Sequence, residues 1–220
     1  MTTVLFWDID GTLLTTARAG VFSLERALEE VAGVAVDLQG MATAGMTDYS
    51  IAEAALKGVG HPADEETVQR FLRIHERQLP DYLHRRQGHV LPGVREALED
   101  LSGRDDVLSL LLTGNTEGGA AAKLAHYELA EFFPHGGAFC VGPGERVEIA
   151  RRALRLANGS EPVYVIGDTP ADVQCGKEIG ARTIAVATGS YSRDELAEHD
   201  AWEVLEHLPP PDELAELLDL

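Results

Sequence analysis

Basic residues are scarce in this chain. Its 220 residues hold 18 Lys and Arg against 37 Asp and Glu, a net charge of −19, with a pI near 4.7. Nucleic-acid backbones are bound by basic surfaces, so this balance excludes nucleic acid as a partner. Cysteine is almost lacking. Cys140 and Cys175 have no metal-ligand spacing, and their apolar or small-residue surroundings predict buried free thiols. Such thiols fit a reducing compartment, and the cytoplasm is the expected location. The first strand begins directly after the first residues, so no signal peptide is expected. No apolar run approaches the roughly 20 residues of a membrane span, and no membrane partner is expected. Glycine-rich nucleotide loops are missing too. Gly176-Lys177-Glu178 lacks the upstream Gly and the Ser/Thr of a Walker loop, and there is no GxGxxG.

What is present is concentrated at the ends of apolar runs. In VLFWDIDGTLL, Val4 to Leu14, four apolar residues read as a buried strand that ends at Asp8. Side chains alternate faces along a strand, so Asp8 and Asp10 leave the same side at its carboxyl end. Two carboxylates held that close repel unless a cation or a proton lies between them. The pattern suits chemistry in which one attacks an electrophile and the other manages a proton. Read alone, Asp and Thr after a strand also suit a helix cap.

Two further runs supply partners. LSLLLTGNT, Leu108 to Thr116, ends in a small polar loop, and PVYVIGDTPAD, Pro162 to Asp172, ends in acid. Each reads as a buried parallel strand, and open α/β sheets place ligand sites at the carboxyl ends of such strands. Thr113 offers a hydroxyl, and the Gly114 and Asn115 loop offers backbone N–H groups to phosphate oxygens, although TGN is also a common turn. Oxygen-rich sites of this kind select hard cations such as Mg²⁺.

These three motifs, in this order, resemble the haloacid dehalogenase superfamily of phosphotransferases, and the resemblance covers essentially the whole chain. DIDGT at Asp8 to Thr12 is similar to the first motif, with the second Asp typical of the phosphatases. Thr113-Gly114-Asn115 is similar to the second, and GDTPAD at Gly167 to Asp172 to the fourth. The resemblance implies Asp8 as nucleophile through an aspartyl-phosphate, Asp10 as acid/base, and Mg²⁺ held by Asp8, the Asp10 backbone carbonyl and Asp168, with Asp172 supporting from behind. The third motif departs from the family pattern. The family places a Lys before the acidic motif, but none lies between Lys123 and Lys177, so Arg146 is assigned its task. Lys123 and Lys177 are the competing cations.

After the first motif the chain is helical to about Gly88, with segments at FSLERALEEVAG, TDYSIAEAALKGVG and DEETVQRFLRIHERQLPDYLHRR, the last stopped or kinked at Pro80. A helix over Val90 to Leu101 follows. Strands and helices then alternate: Val107–Leu112, Ala120–Ala130, Gly137–Val141, Arg146–Ala157, Val163–Ile166, Ala171–Ile179 and Thr183–Ala187. A short strand at Trp202–Leu205 and a helix at Asp212–Leu218 close the chain. The alternation predicts an α/β fold with a parallel, Rossmann-like sheet. The organisation expected is an α/β core of residues 1–15 and 89–220 with an inserted all-helical domain at 16–88. Within the resembled superfamily, an insert there is a cap over the active site. It holds eight Lys/Arg and eleven Asp/Glu, a net of −3, leaving −16 for the core. Arg70, Arg73, Arg77, Arg85 and Arg86 fall late in it, and selectivity is expected from this cluster.

The expected activity is thus a Mg²⁺-dependent phosphatase acting on a small phosphorylated metabolite, nearest the phosphoglycolate-phosphatase-like members with a helical cap. The alternatives are a mutase of the β-phosphoglucomutase type and a non-catalytic module in which Asp8 is only a phospho-acceptor. The sequence leaves the oligomeric state open.

Overall fold

The computed structural model describes residues 2–38 and 40–220. At its centre is β1, Thr3–Trp7, every residue of which is buried. β1 pairs in parallel with β4, Val107–Thr116, on one side and with β6, Val163–Gly167, on the other. β5, Gly137–Cys140, extends the sheet beyond β4, and β7, Arg182–Val186, and β8, Glu203–Leu205, extend it beyond β6. The six-stranded order β5-β4-β1-β6-β7-β8 is parallel throughout. The chain builds outward from β1 to β5, then returns to build the other half from β6. That reversal opens a crevice at the carboxyl ends of β1, β4 and β6.

The apolar runs have no polar alternation because both faces of the sheet are covered. Val4 and Phe6 join Leu110, Leu112 and Val165 in one core, while Leu5 and Trp7 join Leu111, Tyr164 and Ile166 in another. Burying each such large side chain fully contributes about 1.5–3 kcal/mol.

Two helical layers complete the fold. α4, Val94–Ser102, α5, Glu117–His126, α6, Arg146–Leu156, and α7, Pro170–Ile179, connect the strands. α8, Arg193–Ala197, and α9, Pro211–Leu217, are short. Between a two-residue ribbon of β2, Leu14–Thr15, and β3, His89–Val90, stand α1, Ala19–Ala32, α2, Asp48–Gly58, and α3, Glu65–Arg85. Thr47 caps α2 by accepting from the Ser50 N–H at 3.1 Å, and Asp64 caps α3 by accepting from the Thr67 N–H at 2.9 Å. Leu24, Leu28, Phe71 and Ile74 bury the seam between α1 and α3.

Several sequence expectations shift. α3 does not stop at Pro80 but runs on to Arg85. Leu79 and Leu83, both fully buried, hold the final turns down and offset the proline's lost hydrogen bond. β4 continues through Thr113–Asn115, expected as a loop, because Thr116 pairs with Cys140 across an irregularity. α1 begins at Ala19, earlier than its apolar spacing suggested, and the helix expected from Val90 begins at Val94 because Val90 pairs with Leu14.

Candidate active site

The three motifs meet at the crevice. Asp8 follows β1 and is 4% exposed. The chain then turns tightly, with the Leu13 and Leu14 N–H groups both donating to the Ile9 carbonyl. Gly11 sits in this turn at φ 85°, and a Cβ there would lie 2.3 Å from Asp168 Oδ2. Only glycine fits both the conformation and the approach. The same turn lets Thr12 Oγ1 donate to Asp168 Oδ1 at 3.1 Å, so the first motif supports the fourth directly.

Asp8 and Asp10 of the first motif face different cations. Arg146, the first residue of α6, places Nη2 2.9 Å from Asp8 Oδ1 and 2.5 Å from Asp172 Oδ1. Lys123, on α5, places Nζ 2.5 Å from Asp10 Oδ2 and 2.6 Å from Asn115 Oδ1. Lys177, the remaining competitor, pairs with Asp200 on the surface at 3.2 Å. Lys123 was legible in the sequence only as a competitor to Arg146, yet the structure brings both into the site.

Asn115 has a different neighbourhood from the phosphate contact expected of it. Its amide nitrogen donates to Asp10 Oδ2 at 2.9 Å and to Thr113 Oγ1 at 2.8 Å, while its oxygen accepts from Lys123. It therefore orients Asp10. Thr113 Oγ1 also accepts from the Asn115 N–H at 3.3 Å. Its own hydroxyl hydrogen is thereby left to donate into the cavity that it lines. Gly114 lies under the loop before α2, where a Cβ would meet the Met46 carbonyl oxygen at 2.4 Å.

The carboxylates differ in electrostatic setting. Burial pushes Asp8 up to about 6; the Arg146 guanidinium pulls it down, while Asp172 and Asp10 add to the rise. Burial likewise raises Asp168 to about 8, with Asp172 and Asp8 adding repulsion that the Thr12 hydrogen bond does not offset. Asp10 moves the other way. Burial opposes the shift, but the Lys123 ammonium and the hydrogen bonds from Lys123 and Asn115 hold Asp10 below the usual carboxylate range. Oxygens of Asp8, Asp168 and Asp172 come within 4.8 Å of one another. Asp172 is occupied: it accepts from Arg146, from the Thr169 N–H at 3.0 Å and from the Thr169 hydroxyl at 2.6 Å. Asp168 has only Thr12 as a donor among the described residues. Asp8 and Asp168 thus form a hard, all-oxygen, under-compensated pair that fits a divalent cation.

The inserted helices close the crevice into a cavity of about 680 Å³. Asp48 of α2 accepts from the Thr116 backbone N–H at 2.7 Å, tying this segment to the head of α5. Burial raises Asp48 to about 6 although Lys123 and that N–H oppose the rise. His75 of α3, 2% exposed, has Nδ1 2.5 Å from Ser23 Oγ. Burial first, then Lys123, pushes His75 down to about 3, so the ring is neutral. Neither Asp48 nor His75 carries a sequence motif. The arginines expected to govern selectivity are elsewhere. Arg70, Arg73 and Arg77 are exposed outside the cavity lining, and Arg77 pairs with Glu30 at 2.9 Å. Both cysteines are buried free thiols, and burial pushes Cys175 up to about 12.

The family model of haloacid dehalogenase-like hydrolases matches residues 5–177, well over half of the chain. The chain belongs to the haloacid dehalogenase-like hydrolases. A second model, HAD-hydrolase-like, matches residues 145–211. The chain is 26% identical over 201 residues to the probable phosphatase IndB of Dickeya dadantii, covering 89% of this chain and 86% of that one. Its fold is similar to that of CbbY from Rhodobacter sphaeroides, solved with phosphate, at a TM-score of 0.75 and 20% identity over all of both chains. It is also similar to a candidate β-phosphoglucomutase from Bacteroides vulgatus, at a TM-score of 0.69 and 21% identity, covering 100% of this chain and 89% of that one.

Proposed function

We propose that this hydrolase is a Mg²⁺-dependent phosphatase that cleaves a small phosphorylated metabolite through an aspartyl-phosphate on Asp8. The observation that carries the reading is the separate pairing of the two motif carboxylates, Asp8 with Arg146 and Asp10 with Lys123. One carboxylate is steadied for attack, and the other is held beside it for proton transfer.

Asp8, the Asp10 backbone carbonyl and Asp168 would hold Mg²⁺. When bound, the ion would offset the negative charge shared by Asp8 and Asp168 and draw phosphate oxygens toward Asp8. Thr113 and the Gly114 backbone orient the phosphoryl group. Asp8 attacks phosphorus, and Asp10 protonates the departing oxygen. In the free site, however, Asp10 is ionised and Asp8 is the readier to hold a proton. A cation held between Asp8 and Asp168 would favour ionised Asp8, while the charge of an arriving phosphate dianion raises Asp10 toward the protonated form that it needs as an acid. Asp10 then takes a proton from the water that attacks the acyl phosphate. Arg146 keeps Asp8 in place and meets developing charge, and Asp172 anchors Arg146 from behind. Residues 16–88 serve as the cap over the core of residues 1–15 and 89–220. No described helix is long and apolar enough to cross a membrane. A reducing, cytoplasmic setting fits the two buried thiols.

A mutase would share this core and pass the phosphoryl group to a sugar, and the Bacteroides vulgatus neighbour keeps that second reading in view. Turnover of p-nitrophenyl phosphate with Mg²⁺, combined with product analysis on a hexose phosphate, tests both. Release of inorganic phosphate supports the phosphatase; isomerised sugar phosphate without release supports the mutase.

A further inference from the structure

Three cations line the active-site cavity: Arg18, Lys123 and Arg146. Two of them are committed, Lys123 to Asp10 and Arg146 to Asp8 and Asp172. Arg18 is not. Its side chain is exposed at the cavity wall, and no described residue forms a hydrogen bond or ion pair with its guanidinium. Other arginines, such as Arg70 and Arg73, also lack an acid partner, but they lie outside the cavity lining that holds Arg18.

The backbone presents Arg18 deliberately. Ala17 at φ 46° and Arg18 at φ 70° are consecutive left-handed residues, neither of them glycine. Such conformations persist only where the surroundings enforce them. Here the Ala17 N–H donates to Thr15 Oγ1 at 3.4 Å, and the Ala17 carbonyl accepts from Arg86 Nε at 3.0 Å. Arg86 is itself packed over the Phe22 ring at 4.6 Å. The wall that continues from Arg18 is apolar, with Val21, Leu24, Met41, Ala44 and Ile51. Of the ionisable residues that the inserted segment gives to this lining, Arg18, Asp48 and His75, Arg18 is the permanent cation and so the one suited to hold an anion.

We propose that Arg18 is a specificity residue that grips a second anionic group, a carboxylate or a phosphate, on the substrate at the end remote from the transferred phosphoryl group. This rests on the phosphatase reading. The phosphoryl end is served from the core by Thr113, the Asp8–Asp168 pair and Arg146 at the head of α6, whereas Arg18 enters from the inserted segment. A guanidinium offers two parallel N–H donors to a planar carboxylate or to a phosphate edge. Selection then rejects esters with a neutral far end, because they leave Arg18 desolvated without a partner.

Arg18→Gly tests this, since glycine favours the φ of 70° and the loop keeps its shape. The readout is the ratio of kcat/KM within matched pairs: 3-phosphoglycerate against glycerol 3-phosphate for a carboxylate, and fructose 1,6-bisphosphate against fructose 6-phosphate for a second phosphate. The wild type favours the anionic member of at least one pair, and that pair names the group. Arg18→Gly lowers that ratio by roughly 10- to 100-fold, as expected for a hydrogen bond to a charged group, and Arg18→Lys restores part of it. An unchanged ratio in both pairs overturns the proposal. Calorimetric binding of the same four esters to Asp8→Asn, with and without Arg18→Gly, decides independently of turnover. If the wild type hydrolyses no ester, the phosphatase reading fails by itself. A loss of affinity confined to 3-phosphoglycerate or fructose 1,6-bisphosphate, the esters with a second anionic group, still supports Arg18, and equal losses overturn it.

Discussion

Lys123 Nζ and Asp10 Oδ2 lie 2.5 Å apart across the junction of α5 and the first-motif turn, with the ammonium buried and the carboxylate side chain 43% open to the cavity. Asn115 is hydrogen-bonded to both, so each of the three side chains orients the other two. Lys123→Met removes the charge while keeping most of the stem. It should lower kcat on the order of 10²-fold, the scale of losing one preorganised electrostatic group. Its circular dichroism should remain that of the wild type. Steady-state kinetics with p-nitrophenyl phosphate checks this, and wild-type kcat would show that Asp10 does not depend on Lys123.

Arg146 couples activity to stability. It is 8% exposed and bridges Asp8 and Asp172, so Arg146→Ala leaves two buried carboxylates uncompensated. Breaking a buried pair costs about 3–5 kcal/mol, and turnover should fall on the order of 10²-fold or more. Urea denaturation without metal and kinetics at saturating Mg²⁺ measure the two losses. Arg146→Lys should recover part of each. A stable, active alanine variant would remove Arg146 from the site chemistry.

Metal should act on both rate and fold. Activity should vanish in EDTA and return with Mg²⁺, with Ca²⁺ substituting poorly because it favours more ligands and looser geometry. Mg²⁺ binds the folded chain in preference to the unfolded, so it should raise Tm in the wild type. Asp168→Asn should abolish that rise. Full activity in chelator, or a Tm shift that survives Asp168→Asn, would contradict the assignment.

Asp48 gives a pH signature. Its carboxyl rises from 3.8 unfolded to about 6 folded, chiefly through burial. Its contribution to stability is therefore fully present below pH 3.8 and is lost as pH rises through 6. Asp48→Asn removes the buried charge and keeps an acceptor for the Thr116 N–H. It should stabilise the metal-free protein on the order of 2 kcal/mol at pH 8 and by little at pH 4. A stability difference that does not change between these pH values would refute it.

Much of the core was readable from local pattern. β1, β4 and β6 are largely apolar because both their faces are covered; β1 and β6 end at their motifs and β4 runs on through its own. Asp8, Thr113 and Asp168 therefore declared themselves by position. What escaped depends on distant partners. β2 and β3 have two residues each and exist only as each other's complement. The extension of β4 through Asn115 depends on Cys140. Lys123 faces Asp10 because of how α5 sits against β4, which no spacing encodes. Of the late arginines of the insert, which looked like a binding cluster, Arg70, Arg73 and Arg77 lie exposed outside the cavity and Arg86 braces the backbone at Ala17. Arg18 reaches the cavity through two left-handed residues that local propensity disfavours.

The most direct test is chemical trapping of Asp8. The wild type is mixed with excess phosphate ester and Mg²⁺, quenched in the steady state and reduced with borohydride, which converts an aspartyl-phosphate to homoserine. Peptide mass spectrometry should find homoserine at position 8 and unmodified aspartate at positions 10, 168 and 172, and Asp8→Asn should show neither homoserine nor turnover. Hydrolysis with Asp8 unmodified, or turnover by Asp8→Asn near the wild-type rate, would contradict nucleophilic catalysis by Asp8.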